Sequence, residues 1–338
     1  MAKILAIESS CDETAVAILD GEELKANVVA TQIAVHEKFG GVMPEIASRL
    51  HCENICFCLQ QALDESKMKF EDMDAIAVTR GPGLIGCLHV GLQAAKTLAM
   101  LYKKPLIPVH HLAGHIYANE YVGKLKFPLL CVVVSGGNTE LVYMKEDMDF
   151  KIIGETTDDA IGECYDKVAR VLGLPYPGGV PIDKHAKLGK HTYNLPSPHV
   201  SGDNLYDFSY SGLKTAVINL VNTLKMKGEE INIDDMAKSF QDVAVAQIVD
   251  KTVKAAKEFD VKEIVLAGGV SANSYLREQM KEKFDNSGIE LLIPPLWCTT
   301  DNAAMIARVA SHLYKMGIFA PLDLGVDPNW KIDHYKEF

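Results

Sequence analysis

Residues 3–19 read KILAIESSCDETAVAIL, which is an apolar run, a short polar turn and a second apolar run. This pattern predicts a β-hairpin whose turn is rich in Ser and Asp. Residues 129–144, LLCVVVSGGNTELVYM, follow the same plan with Ser-Gly-Gly-Asn at the turn. When Ser9 is laid on Ser135, the two turns and their flanking apolar runs align. We interpret the two hairpins as the openings of two duplicated units.

The rest of the chain alternates strand and helix patterns, which predicts an α/β fold with largely parallel sheets. Residues 73–101 read as strand, glycine-rich turn and helix, and PLIPVHH (105–111) reads as a further strand. Predicted helices cover residues 44–67, 158–173, 211–227, 234–259, 271–284 and 300–317, and predicted strands cover 263–270 and 289–295.

Composition limits the class of protein. With 338 residues and 48% hydrophobic content, the chain can form one large or two medium domains. The net charge of −11 argues against a protein that grips nucleic acid unaided, because such proteins carry a basic surface. No signal-peptide pattern and no apolar run of about 18 residues is apparent, and the eight cysteines lack disulfide-scaffold spacing, so we expect a reducing cytoplasm. The spacing of Cys52, Cys56 and Cys58 favours small apolar side chains over a metal cluster.

Four stretches place Gly, Ser or Asn at a strand end or tight turn, at residues 81–86, 135–138, 175–183 and 267–273. Glycine lets the backbone approach a phosphate, and successive N–H groups can cradle an anion. One such turn is commonly only a turn, but four together favour a bound nucleotide. No Walker A sequence is present, which argues against a P-loop ATPase. Asn273 could cap the following helix or face such a ligand.

The stretch PVHHLAGHIYA (108–118) places His111 and His115 four residues apart. On one face of a helix, two such imidazoles can share a metal. A zinc-protease helix reads H-E-x-x-H, whereas Leu112 follows the first histidine here, so the base for peptide hydrolysis is missing. Asp301, at a predicted strand-to-helix junction, could supply a third ligand. Two histidines and one carboxylate suit Fe(II) or Zn(II).

A series of ordered motifs resembles the bacterial TsaD (YgjD/Gcp) family, which is related to the archaeal and eukaryotic Kae proteins, over essentially the whole chain. The motifs are IESSCDETA, HEKFGGVMPEIASRLH, GPGLIGCLHVG, PVHHLAGH, VSGGNTEL, DDAIGECYDKVARVLGLPYPGG, DFSYSGLKTA, LAGGVSAN and CTTDNAAMIA. The resemblance implies a duplicated actin-like, sugar-kinase and heat-shock-chaperone ATPase (ASKHA) fold, with two α/β domains and a nucleotide in an interdomain cleft. We expect one domain at residues 1–125 with about 300–338, including a helical insertion at about 36–67, and the other at 126–299.

The resemblance also implies an activity. The threonylcarbamoyl group of threonylcarbamoyl-AMP would pass to the N6 amine of adenosine 37 in tRNAs that read ANN codons, with release of AMP. Implied partners are a TsaB-like paralogue, a TsaE-like P-loop ATPase and tRNA, in the cytoplasm and without a membrane. Alternatives are an ASKHA ATPase with an assembly or regulatory role, or a metalloprotease.

The site residues follow from the same resemblance. It implies one divalent metal, Fe(II) or Zn(II), on His111, His115 and Asp301, and an adenine nucleotide (threonylcarbamoyl-AMP, ATP or ADP). Contacts with that ligand are implied at Val133, Val134, Ser135, Gly136, Gly137, Asp166, Gly179, Asp183 and Asn273. Asp12 and Glu13 are candidate catalytic residues. Many bacterial members have His where this chain has Asn138, which leaves a direct role of that side chain open.

Overall fold

A computed structural model describes residues 2–197, 200 and 204–335. The chain forms two compact units: Met1–Glu120 with Thr300–Phe338 is the first unit, and Tyr121–Thr299 is the second unit. Each unit contains one five-stranded sheet. No helix in the described ranges is both long and apolar enough to span a membrane.

The helices and strands follow in chain order. The first unit begins with β1 Lys3–Glu8, β2 Glu13–Asp20, β3 Glu23–Thr31, α1 Ile33–His36, α2 Pro44–Ser66, β4 Ala75–Gly81, α3 Ile85–Tyr102, β5 Leu106–His110 and α4 His111–Tyr117. The second unit contains β6 Leu129–Val134, β7 Thr139–Met144, β8 Phe150–Glu155, α5 Ile161–Val171, α6 Gly179–Ala186, α7 Ser211–Lys227, α8 Ile233–Glu258, β9 Glu263–Ala267, α9 Ser274–Phe284 and β10 Glu290–Leu292. The first unit resumes with α10 Ala303–Lys315. Short 3-10 helices cover Glu37–Phe39, Phe70–Asp72, Ala118–Tyr121, Gly269–Ala272, Leu296–Cys298 and Ile332–His334.

The sheet of the first unit has the strand order β3-β2-β1-β4-β5. The predicted hairpin is confirmed, because β1 and β2 pair antiparallel with Lys3 opposite Asp20. β3 extends this hairpin antiparallel, whereas β4 and β5 pair parallel through helical crossovers. The prediction of largely parallel sheets is wrong, because half of the strand pairs are antiparallel.

The sheet of the second unit has the order β10-β9-β6-β7-β8. Its second hairpin, β6 with β7, is also confirmed, and β8 extends it antiparallel. β9 pairs parallel with both β6 and β10. Both sheets therefore repeat the same order of antiparallel and parallel pairs around the first strand of each hairpin, which is the duplication that the two turns predicted.

The apolar core of the first unit explains its continuous strand patterns. Leu5 and Ile7 of β1 pack in one cluster with residues of α2 and α3, such as Ile55 and Leu92. Because successive side chains of a strand point to opposite faces, the equally buried Ile4 lies on the other face, and α10 packs on this sheet. A sheet covered on both faces needs apolar residues at every position rather than at alternate ones.

Candidate active site

The histidine pair lies where β5 meets α4 in the first unit. β5 ends at His110 and α4 begins at the next residue, so His111 and His115 lie one turn apart on α4. Both are buried, and their rings lie 4.8 Å apart at an angle of 86°. The predicted helical pair is therefore confirmed.

Asp301 reaches this pair from the residues before α10. Its Oδ1 lies 3.1 Å from His115 Nε2 and 3.5 Å from His111 Nε2. Gly114 allows α4 and α10 to approach closely, because a Cβ there would lie 3.0 Å from Ile306 Cδ1. The ligand atoms of the three side chains all lie within 4.8 Å of one another. The structure thus brings together the three residues that were predicted as metal ligands, here called the His-His-Asp trio.

The chemistry of the trio fits a metal ion. Neither ring nitrogen of His115 makes a hydrogen bond with the described residues, although Nε2 faces Asp301 Oδ1 at 3.1 Å. A buried polar atom without a partner is costly and requires an explanation. Coordination to a cation would satisfy one of these nitrogens, and two imidazoles with one carboxylate leave coordination positions open for substrate. The trio is therefore a candidate metal site.

His110, the residue before the pair, has a structural role instead. Its Nε2 donates to the Trp330 carbonyl oxygen at 2.8 Å, and its Nδ1 accepts from the Leu112 N–H at 3.2 Å. Burial lowers the pKa of His110 to about 3, so the ring is neutral. Both nitrogens are thus already hydrogen-bonded, and this histidine caps α4.

Behind His111 lies a carboxylate that the sequence patterns did not indicate. Glu8, the last residue of β1, is fully buried, and its Oε2 lies 3.2 Å from His111 Nδ1. Thr79 donates its hydroxyl to the same oxygen at 2.5 Å, and the Ser10 N–H donates to Oε1 at 2.5 Å. A charged residue directly after the apolar residues 4–7 of β1 was the signal that could have revealed it, because buried charges need partners.

Neighbouring charges raise the pKa of His111 and lower the pKa of Asp301. Burial alone lowers the pKa of His111, but the negative charges of Asp301 and Glu8 outweigh it and raise the pKa to about 9. Burial alone raises the pKa of Asp301, but His111 and His115 outweigh it and lower the pKa to about 2. Without a metal, a protonated His111 therefore faces an ionised Asp301 at neutral pH.

The two candidate catalytic residues, Asp12 and Glu13, lie at the end of the first hairpin turn and are each 9% exposed. Helix α2 holds this turn through His51, whose Nε2 lies 2.9 Å from the Cys11 carbonyl oxygen. Burial, together with the charges of Asp301 and Asp12, raises the pKa of Glu13 to about 10. Glu13 is therefore neutral at pH 7 in the metal-free protein and can donate a proton but not accept one.

We expect Glu13→Gln to stabilise the metal-free protein as pH rises. Between pH 4.5 and about 10, the unfolded chain releases the Glu13 proton while the folded protein keeps it, so the wild type loses stability through this window. The variant avoids this loss, and its gain should grow by about 4 kcal/mol between pH 5 and pH 8, at about 1.4 kcal/mol per pH unit. Urea unfolding at pH 5 and pH 8 measures it, and an equal effect at both values would contradict the shift.

In the second unit, the predicted ligand contacts begin at the carboxyl end of β6. Val133 and Val134 are buried strand residues, and the Ser135 N–H donates to the Asn138 carbonyl oxygen at 2.8 Å, which closes a tight turn. A Cβ built at Gly136 or Gly137 meets no atom of the described residues within 4 Å, and neither glycine has a positive φ. Since chain packing and backbone conformation do not require glycine there, an external group that approaches the backbone closely would explain both.

Asp183 and Asn273 are linked by hydrogen bonds to the side chain of Gln241, which the sequence patterns did not indicate. Asn273 caps α9 by accepting from the Leu276 N–H at 2.9 Å, and its Nδ2 donates to Gln241 Oε1 at 2.8 Å. Gln241 Nε2 donates in turn to Asp183 Oδ1 at 3.3 Å, and Ser274 Oγ donates to the same oxygen at 2.9 Å. Gln241 is buried within the long helix α8, where a single amide gives no distinctive pattern.

The other predicted contacts lie on α5 and α6. Asp166 Oδ1 accepts from the Gly178 N–H at 2.7 Å and so fixes the turn before Gly179, the first residue of α6. The sequence pattern predicts a glycine-rich turn in this stretch, and the short helix α6 is a correction to that expectation. A Cβ at Gly268, after β9, would lie 2.4 Å from the Val134 carbonyl oxygen. The two glycine-rich stretches after β6 and β9 are therefore in contact at the carboxyl ends of neighbouring parallel strands, the edge at which α/β sheets bind ligands.

Two glycines in this region should respond to alanine differently. A Cβ at Gly162 would lie 2.5 Å from the Ser135 carbonyl oxygen, so Gly162→Ala should destabilise the protein by about 1–3 kcal/mol. The added Cβ of Gly137→Ala would lie in open space, so this variant should leave the melting temperature nearly unchanged. It should instead weaken ADP binding by about tenfold. Thermal unfolding and ADP calorimetry separate the two effects. Unchanged ADP binding by Gly137→Ala would argue against a phosphate at this turn.

Comparison with known proteins identifies the family of this chain. The family model of TsaD, described as tRNA N6-adenosine threonylcarbamoyltransferase, matches residues 23–308. The chain belongs to the TsaD family. A Bacillus cereus protein named tRNA N6-adenosine threonylcarbamoyltransferase is 54% identical over 332 residues, which cover 98% of this chain and 96% of that protein. A Listeria welshimeri protein of the same name is 53% identical over 328 residues, covering 96% and 95%.

Solved structures of more distant proteins share the fold. Full-length HypF, in a phosphate- and nucleotide-bound form, superposes with a TM-score of 0.63 at 14% identity and covers 94% of this chain. This chain spans about half of HypF, with 47% covered. Component A of the Acidaminococcus fermentans (R)-2-hydroxyglutaryl-CoA dehydratase has a TM-score of 0.51 at 17% identity, covering 94% of this chain and 99% of that protein. At these identities the likeness concerns the fold alone, and it confirms the predicted ASKHA fold.

Proposed function

We propose that this TsaD-family chain transfers the threonylcarbamoyl group of threonylcarbamoyl-AMP to the N6 amine of adenosine 37 in tRNAs that read ANN codons, and releases AMP. The observation that carries this proposal is the 54% identity over 332 residues to a Bacillus cereus protein named for transfer to tRNA N6-adenosine. The metalloprotease alternative lacks a base, because the apolar Leu112 follows His111.

The reaction requires two bond changes and one proton transfer. The adenine N6 attacks the carbamoyl carbon, the bond from that carbon to the AMP phosphate oxygen breaks, and N6 loses a proton. Negative charge develops on the carbonyl oxygen and on the departing phosphate, so the site must stabilise anions. Asp12 and Glu13 are the two candidates to accept the N6 proton, because an ion beside Asp301 would offset the negative charge that raises the pKa of Glu13 in the metal-free protein.

His111, His115 and Asp301 would hold the divalent metal, which we propose to be Fe(II), with Zn(II) as the alternative. When bound, such an ion supplies Lewis-acid polarisation of an oxygen on which charge develops. Two of the three side chains come from α4 and the third from the residues just before α10. These two helices pack tightly at Gly114, so the separations of the ligands are set before any ion binds.

An adenine nucleotide would lie against the second unit. The exposed backbone at Gly136 and Gly137 would approach its phosphates, and the linked Asp183, Gln241 and Asn273 would fix its remaining polar groups. Holding the donor in one orientation makes the transfer step effectively unimolecular, because the reacting atoms are already aligned. This arrangement supports threonylcarbamoyl-AMP, ATP or ADP as ligands.

Partners are part of the proposal. A net charge of −11 provides a poor surface for solitary tRNA binding, so we infer that a TsaB-like paralogue and a TsaE-like P-loop ATPase act together with this chain. We propose α2, on which Phe57 is 65% exposed, as the helix that packs on the paralogue. We propose the cytoplasm as the site of the reaction, because its substrate is tRNA.

Reconstitution tests the proposal. The protein, its two partners, unmodified tRNA, ATP and threonylcarbamoyl-AMP labelled in the threonyl group are mixed, and label in tRNA is counted. We expect label in tRNA with the wild type and none with His111→Ala. If folded, metal-loaded wild type and active partners gave no label, the transferase proposal would fail.

A further inference from the structure

Glu8 is the residue behind the trio whose role neither the sequence motifs nor the comparisons assign. It is fully buried at the end of β1, and its Oε2 lies 3.2 Å from His111 Nδ1. An uncompensated buried carboxylate would be strongly unfavourable, so its hydrogen bonds explain why it is tolerated there. Those bonds run to the Thr79 hydroxyl, the Ser10 N–H and His111 Nδ1.

We propose that Glu8 is a positioning residue that fixes the hydrogen of His111 on Nδ1, so that the lone pair of Nε2 points toward Asp301 and a divalent cation. This proposal rests on the metal site in the proposed function. An ionised carboxylate only accepts hydrogen bonds, so a neutral imidazole facing it at 3.2 Å must present N–H from Nδ1. In the neutral ring that coordination requires, His111 Nε2, which faces Asp301 Oδ1 at 3.5 Å, is then the unprotonated nitrogen.

Ser10 offers a competing arrangement that Glu8 excludes. Ser10 Oγ lies 3.1 Å from His111 Nδ1, and a hydroxyl can either donate or accept. If it donated, Nδ1 would be unprotonated and the hydrogen would move to Nε2, which would block coordination. Because the Glu8 carboxylate cannot donate, it selects the tautomer with the hydrogen on Nδ1. Ser10 Oγ and Glu8 Oε2 then both accept from that N–H.

The pairing with Glu8 also holds the ring in place. The two carboxylate oxygens are fixed separately, since the Ser10 N–H donates to Oε1 at 2.5 Å and the Thr79 hydroxyl donates to Oε2 at 2.5 Å. The carboxylate is therefore anchored to the first hairpin turn and to β4. Carboxylates that orient a metal-binding histidine in this way typically contribute 10–100-fold to metal affinity.

Glu8→Gln should reverse the tautomer rather than merely weaken the bond. The Ser10 N–H requires an acceptor, so the amide oxygen of glutamine should take the Oε1 position and its NH2 should take the Oε2 position. That NH2 group donates to His111 Nδ1, which drives the hydrogen onto Nε2. Glu263→Gln is the matched control, because Glu263 is also a buried strand carboxylate that accepts a backbone N–H, from Lys126 at 3.1 Å in the second unit.

Zinc affinity and nitrogen NMR test the proposal. Zn²⁺ binding is measured by competition with a chromophoric chelator, and imidazole ¹⁵N shifts of the zinc-loaded wild type identify the protonated nitrogen of His111. We expect Glu8→Gln to lose about 10–100-fold in Zn²⁺ affinity, Glu263→Gln to match the wild type, and His111 to carry its hydrogen on Nδ1.

Three results would overturn the inference. Zn²⁺ affinity of Glu8→Gln within about twofold of the wild type would remove Glu8 from this role while the metal site stands. A hydrogen on His111 Nε2 in the zinc-loaded wild type would do the same, even if the variant failed to fold. A wild type that bound neither Zn²⁺ nor Fe²⁺ would remove the metal site and the inference together, and label transfer into tRNA would then judge the transferase separately.

Discussion

Asp301→Asn is expected to reduce threonylcarbamoyl transfer by at least about 100-fold. The substitution preserves size but replaces the anionic oxygen that lies 3.1 Å from His115 Nε2 and 3.5 Å from His111 Nε2 with a neutral amide. Two imidazoles alone bind a divalent ion weakly, and the Lewis acid is lost with it. Initial rates of transfer into tRNA, with bound metal measured by elemental analysis, report both consequences.

The control for this variant is Asp20→Asn, which changes an aspartate at the end of β2 in the same unit. It should retain both activity and metal content. Transfer by Asp301→Asn at the rate of the control, with its metal lost, would show that the trio is not needed for the reaction.

Metal affinity is expected to rise by about 100-fold between pH 7 and pH 9, the second large effect. Coordination needs a neutral His111, whose pKa of about 9 means that one proton must leave on binding throughout this range. Each pH unit below 9 therefore costs about tenfold in apparent affinity, and the gain levels off above pH 9. Chelator competition with Zn²⁺ at half-unit intervals measures the slope.

The number of protons released gives an independent check on this slope. Calorimetry of Zn²⁺ binding at pH 7 in buffers of different ionisation enthalpy should show at least about one proton leaving the protein. A flat affinity profile with no proton release would mean that His111 is already neutral at pH 7 and that the charges of Asp301 and Glu8 do not act on it as described.

The sequence predicted the repeated hairpins because strand and turn patterns are local. It did not predict β3 or β8, which add the third antiparallel strand to each hairpin. β3, ELKANVVAT, is only partly buried and mixes polar with apolar residues, so its pattern is weak. β8 is six residues long, with an exposed Lys151 near its start. Edge strands are defined by the neighbour with which they pair, and a single sequence does not show that neighbour.

In the candidate site, too, the sequence predicted the local features and missed those that depend on distant partners. The spacing of His111 and His115 is local, so their shared helix face could be predicted. Asp301 could be proposed as the third ligand because it directly precedes a predicted helix. Glu8 and Gln241 were missed because their roles arise only from partners far along the chain, such as His111 for Glu8 and Asp183 for Gln241. The raised pKa of Glu13 likewise depends on the through-space charge of Asp301.

The most direct test of the central claim is nucleoside analysis of tRNA after reaction with metal-stripped and metal-restored protein. The protein is stripped by a chelator and combined with its partners, threonylcarbamoyl-AMP, ATP and unmodified tRNA, with and without one equivalent of Fe(II) or Zn(II). Digested tRNA is then analysed by mass spectrometry. We predict N6-threonylcarbamoyladenosine at position 37 only when metal is restored, and none with Asp301→Asn under either condition. Unmodified adenosine at position 37 with restored, folded protein and active partners would contradict the transferase assignment.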